Sequence, residues 1–294
     1  MTGRIVVGVD GSPAATAAVE WAADDAARRG AALRVVHVRE EWAHEYPFHA
    51  VPGFDESLTE YCEGVVGAAA ERARGRAPGV EVTTALAEGT VIGSLMAEAG
   101  DAGEIVLGSR GMGGFTGLVL GSVSIGVAGR APCPVVVVRG PSQAVHGEVV
   151  VGLDGSSHSE AALEYGFAQA RLRKARLRAV HAWQIPASSP FALGYADVLD
   201  EVFQRESAGF RRRLEPWRDK HPDVEVAESV VSGHPVAALS DASRQADLVV
   251  VGSRGLGRVA AAVLGSVGHG VLHHAHCPVA VVRPRRTAGD EDPG

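Results

Sequence analysis

Short aliphatic runs alternate along this chain with longer amphipathic stretches, and the alternation predicts its elements. RIVVGVD (residues 4–10) reads as a β-strand, followed by Ser12 and Pro13 as a helix start with proline in the first turn. AATAAVEWAADDAARRG is then an alanine-rich helix that stops at Gly30. ALRVVHV is a second strand, the segment from about Asp55 to Arg76 a helix, and VEVTTAL a third strand. TVIGSLMAEAG is helical, EIVLG a fourth strand, Ser122 to Arg130 a short helix, and PVVVVR a fifth strand. Strands built from continuous Val, Ile and Leu and separated by helices predict a parallel α/β sheet covered on both faces.

The same pattern then repeats. IVVGVDGSPAA (from Ile5) returns as VVVGLDGSSHS (from Val149), VVHV as AVHA, GSRG as GSRG, and PCPVVVVR as HCPVAVVR, always 144 residues later. The expectation is therefore two tandem domains, residues 1–140 and 147–284, with the boundary in GPSQAVHGE and a disordered tail over 285–294.

Composition narrows the function classes. The 294 residues are 46% hydrophobic and only 5% aromatic, so the core should consist of small and β-branched side chains. A net charge of −7 provides no electrostatic footprint for nucleic acid or an anionic membrane, and basic runs such as RLRKARLR read as solvated helix faces. The uncharged stretch from Gly111 to Gly129 approaches a membrane span, but its counterpart carries Arg258 and His269, so both are read as loop plus helix. Three cysteines without CxxC spacing and an N-terminal apolar run too short for a signal peptide point to a reducing, cytoplasmic setting.

In such a sheet, ligands bind beyond the carboxyl ends of the strands where strand order reverses. Asp10, Val38 and Gly108 lie at those ends, and Gly108 opens the glycine-rich stretch GSRGMGGFTGLVLGSVS. Glycine permits close backbone approach, and Gly121-Ser122 stands where a helix presents unpaired N–H groups. This combination is an anion cradle, or else a glycine connector with Ser122 as an ordinary N-cap. The second copy, GSRGLGRVAAAVLGSVG, replaces Gly114 to Gly117 with Arg258 to Ala261 but keeps Gly252, Gly255 and Gly265 for Gly108, Gly111 and Gly121. No GxxxxGK[ST], GxGxxG or GxSxG motif accompanies it, which argues against a P-loop, a dinucleotide fold or a serine hydrolase. Asp10 and Asp154 serve either a ligand or the following turn, and Arg110 and Arg254 either touch phosphate oxygens or face solvent. His269, His273, His274, His276 and Cys277 lack a third ligand at matching spacing, so no metal site is expected, and Cys133 and Cys277 read as buried strand-start thiols.

Gly108-x-x-Gly111, nine residues, Gly121-Ser122, together with VGVDGS and the repeated CPVVVVR ending, resembles the universal stress protein family over nearly the whole chain. The resemblance implies two open five-stranded parallel sheets in the order 3-2-1-4-5, helices on both faces, and fifth strands paired as a pseudo-twofold intramolecular dimer. It also implies ATP, with adenosine near Asp10 and Val38 and phosphates on Gly108, Gly111, Gly121, Ser122, Val123 and Ser124. The second set is Asp154, Ala182, Gly252, Gly255, Gly265, Ser266 and Val267, with Gly268 in place of a hydroxyl residue and one phosphate hydrogen bond fewer. The expected protein is a cytoplasmic ATP-binding stress-response regulator controlled by nucleotide occupancy in two sites, with a protein partner still to be identified, compatible with homodimerisation and without a nucleic-acid or membrane partner. The alternatives are a slow Mg²⁺-dependent ATPase or phosphotransferase working beside Asp10 or Asp154, and a structural partner-binding dimer with vestigial sites.

Overall fold

The computed structural model describes residues 3–40, 53–112, 120–140, 145–184, 196–255 and 264–284. The middles of both glycine loops, the segments after both second strands, most of the boundary and the tail over 285–294 lie outside the described residues.

The chain divides into two compact units. The first carries β1 (Arg4–Gly8), α1 (Pro13–Arg29), β2 (Leu33–Arg39), α2 (Phe54–Arg76), β3 (Val82–Glu88), α3 (Val91–Ala99), β4 (Ala102–Gly108), α4 (Ser122–Ala128) and β5 (Val135–Val138). Its strands are all parallel, in the order β3-β2-β1-β4-β5. The second carries β6 (Glu148–Gly152), α5 (Ser157–Arg173), β7 (Arg176–Trp183), α6 (Ala196–Lys220), β8 (Val226–Ser232), α7 (Pro235–Ala242), β9 (Leu248–Gly252), α8 (Ser266–His274) and β10 (Val279–Val282). A 3₁₀ turn over Ser243–Gln245 follows α7. The second order is β8-β7-β6-β9-β10, the same topology with the same switch between the first and fourth strands of the unit.

Local chemistry explains the boundaries. The Ser12 hydroxyl accepts the Ala15 N–H at the start of α1, Pro13 fills the first turn, and Gly30 ends the helix in the left-handed region at φ 63°. In α5 the matching N-cap is Ser156, but the C-cap is Lys174 at φ 52°. The short α4 ends at Ala128, two residues before the expected Arg130.

The core follows from the composition. Ile5, Val6 and Val7 of β1, Val35 and Val36 of β2, and Ile105 and Val106 of β4 are wholly buried, and α1 lays Ala18, Ala22, Ala23 and Ala26 on the sheet. Such small side chains let helix and sheet backbones approach closely, which brings the strand ends within reach of the loops that follow them.

Candidate functional site

Asp10 organises the first strand-end cluster. Just beyond β1, its Oδ1 accepts the Ser12 N–H at 3.0 Å, while Oδ2 accepts the Met112 N–H, beyond β4, at 2.7 Å. One carboxylate therefore joins the loop after the first strand to the loop after the fourth. Ser12 adds a second tie: its hydroxyl caps α1 and donates to the Arg110 carbonyl at 3.3 Å. The far end of the glycine loop is closed by the Gly121 N–H on the Ser109 carbonyl at 2.8 Å.

These contacts explain the paired glycines. A Cβ on Gly111 would stand 2.5 Å from Asp10 Oδ2, and one on Gly108 would stand 2.6 Å from the Ala14 carbonyl carbon of α1. Gly255 faces Asp154 Oδ2 at the same 2.5 Å, and Gly252 faces the His158 backbone at 2.8 Å. Asp154 Oδ1 likewise accepts the Ser156 N–H at 2.9 Å, and Gly265 N–H closes the second loop on the Ser253 carbonyl at 2.9 Å.

Gly121 is the N-cap of α4, with no side-chain cap, so Ser122 is the first helical residue and is exposed. Ser124 is buried instead, and its hydroxyl donates to the Gly108 carbonyl at 2.7 Å. Because a hydroxyl has one proton to donate, this bond ties α4 to the end of β4 and commits the Ser124 hydroxyl proton within the protein, rather than to a phosphate as the resemblance implied. Gly268 lacks that tie.

All nine residues expected in the first unit, Asp10, Val38, Gly108, Arg110, Gly111, Gly121, Ser122, Val123 and Ser124, line one cavity of about 720 Å³. All eight expected in the second, Asp154, Ala182, Gly252, Arg254, Gly255, Gly265, Ser266 and Val267, line another of about 230 Å³. Gly268 lines it too.

Several lining residues carry no signature in the sequence. His37, in the repeated VVHV, points Nδ1 at the Val9 carbonyl at 2.7 Å, and His181 repeats this at the Leu153 carbonyl at 2.9 Å. A carbonyl only accepts, so Nδ1 donates in both, and each imidazole fixes the turn that presents the aspartate. The recurrence of histidine 144 residues on is the one signal that could have exposed this role. Leu58, Tyr61 and Cys62 bring one face of α2 to the first cavity at helical i, i+3, i+4 spacing. Burial pushes the Cys62 thiol above its ordinary range, partly opposed by the Arg39 charge.

The arginines diverge. Arg254 donates from Nε to His158 Nε2 at 3.1 Å, while Arg110 is exposed and has Ala14 where the second unit has His158. Burial first, then the Arg254 and Arg283 charges, lower the His158 pKa, and Asp154 opposes them. Elsewhere, Cys133 and Cys277 are buried thiols, and burial with the nearby Glu104 charge pushes Cys133 up to about 12. Among the described residues, no group of three or more His, Cys, Asp or Glu could hold a metal ion, and no helix is long and apolar enough to cross a membrane.

Comparison with known protein families matches the universal stress protein family twice, over residues 1–139 and 147–283. A universal stress protein of Mycobacterium tuberculosis is 36% identical over 301 residues, covering 95% of this chain and 94% of its own. One from Mycolicibacterium smegmatis is 35% identical over 295 residues, covering 96% and 97%. Among solved structures, a universal stress protein from Archaeoglobus fulgidus superposes with a TM-score of 0.70 at 22% identity, covering 97% of this chain and all of that one.

Proposed function

The chain belongs to the universal stress protein family, and from that premise we propose that it is a cytoplasmic regulatory protein that binds ATP at the strand ends of its first unit. Its output follows nucleotide occupancy rather than rapid turnover. The observation that carries the reading is the convergence of nine residues, from segments far apart in the chain, on one cavity of about 720 Å³. That volume falls within the roughly 300–1,000 Å³ typical of small-molecule sites.

The residues fit the ligand in kind. Backbone N–H groups from Ser122 to Ser124 suit phosphate oxygens, Arg110 adds an exposed cation, and Val38, Leu58 and Tyr61 supply apolar surface for a base. ATP-borne Mg²⁺ would be held chiefly by the phosphates. Both Asp10 carboxylate oxygens already accept backbone N–H groups, so the duty of Asp10 is to shape the loop, which weighs against an ATPase built around it. Three buried free cysteines suit a reducing compartment.

Heating the purified protein and chromatographing the supernatant tests the reading. Release of an adenine nucleotide, or binding of added ATP with a raised melting temperature, is expected. Absence of both at millimolar ATP defeats the proposal.

A further inference from the structure

The repeat places different side chains of α2 and α6 against equivalent strand ends. Where α2 has Cys62 and Val66, α6 has Glu206 and Phe210 at the positions 144 residues on. The Phe210 ring stacks on His181 with centroids 5.4 Å apart and is almost wholly buried, and Glu206 Oε2 lies 3.2 Å from His181 Nε2. Phe210 and Glu206 of α6 thus cover the ring face and the Nε2 edge of His181, whose Nδ1 donates to the Leu153 carbonyl. In the first unit the same space is open: His37 itself lines the cavity, together with Leu58, Tyr61 and Cys62. Among the described residues of the second unit, neither His181 nor any residue of α6 lines the cavity, which falls from about 720 to about 230 Å³.

We propose that Phe210 and Glu206 are size-determining residues that close the second unit to a nucleotide, so that the chain holds one ATP, in the first unit. The inference rests on the nucleotide reading above and adds which of the two sites is filled and why. A nucleotide entering the second unit must displace an aromatic ring that is packed against an imidazole, and expose apolar surface in doing so. In the first unit the smaller Cys62 and Val66 stand at those positions, and Cys62 and His37 line the larger cavity.

Equilibrium dialysis of the full chain against saturating ATP reads the stoichiometry directly. One ATP per chain is expected, held at least tenfold more weakly in Gly111→Ala and with unchanged affinity in Gly255→Ala. The swap Glu206→Cys with Phe210→Val should raise the count toward two. The reciprocal swap, Cys62→Glu with Val66→Phe, should weaken ATP binding at least tenfold while the chain still melts cooperatively; it decides the matter if the first swap does not fold. Two ATP per wild-type chain, or a single ATP weakened in Gly255→Ala, overturns the size rule and leaves the nucleotide reading standing. No ATP at all defeats the nucleotide reading, and the size rule with it.

Discussion

Asp10 binds two loops with one carboxylate, and Gly111 exists in that position because any side chain would occupy the space of Oδ2, only 2.5 Å away. Gly111→Ala should therefore push the carboxylate off the Met112 N–H, loosening the loop rather than the core. The expected outcome is a loss of ATP affinity of tenfold or more with a melting temperature lowered by only a few degrees, on the order of a 1 kcal/mol change. An unchanged affinity, measured by calorimetric titration, would remove Asp10 from the site's architecture. Lys174 poses the opposite case, since it holds a left-handed φ of 52° at an exposed C-cap where the first unit has Gly30. Left-handed geometry costs a non-glycine residue about 1–2 kcal/mol, part of which glycine gives back as unfolded-state entropy. Lys174→Gly should stabilise the second unit by about 0.5–1 kcal/mol in urea denaturation.

At the level of elements, α1 and α5 share their place in the fold but not their buried chemistry. Arg29 at the end of α1 is 4% exposed and bonds Asp25 Oδ2 at 2.6 Å and also Glu104 of β4, both carboxylates being wholly buried. In the second unit those acids are replaced by Gln169, bonded to the Tyr165 hydroxyl at 3.1 Å, and by Leu248. Removing the cation takes from two buried carboxylates a close counter-charge, with Arg28 at 3.9 Å a more distant one for Asp25, so Arg29→Ala should cost about 3–5 kcal/mol, read as a lowered denaturation midpoint. A cost below about 1 kcal/mol would show that water or another cation reaches the pair. This triad was not legible in the sequence, because Asp25, Arg29 and Glu104 meet only after α1 has packed across β4. The strand segments and the Ser12 and Gly30 caps were legible because aliphatic runs and cap residues act locally, whereas the strand order and the full set of nine lining residues rested on the resemblance to universal stress proteins. The role of the loop-end glycines was legible only in part: Gly108 answers to the α1 backbone and Gly111 to Asp10, both distant in sequence. Helix α6 resisted local rules as well, running through Pro216 while Phe210 and Leu214 bury and Trp217 stacks on Phe167. Packing on both sides of the proline outweighs the lost backbone hydrogen bond.

For the whole molecule, duplication with divergence implies that the two halves respond differently to acid. His158 and His221 both belong to the second unit, while the first has Ala14 and Ala77 at the equivalent positions. The His158 pKa is lowered by burial and then by Arg254 and Arg283, with Asp154 opposing. His221, stacked on Phe167 at 4.4 Å, is lowered chiefly by burial; Arg171 and Lys220 add to this, and Glu164 and Asp223 oppose it. A histidine whose pKa is lower in the folded state takes its proton first in the unfolded chain. Above the ordinary value of 6.5 both states are neutral and stability is unaffected. As pH falls below 6.5 toward the folded value, the unfolded state binds more protons and stability declines. Thermal melts between pH 7.5 and 5 should therefore show an acid-sensitive transition that His158→Ala with His221→Ala flattens. The paired variant Ala14→His in the first unit, beside Arg110, should steepen the decline of that half. If the double alanine variant loses stability with acid as steeply as the wild type, the carboxylates that lie outside these two clusters govern the response.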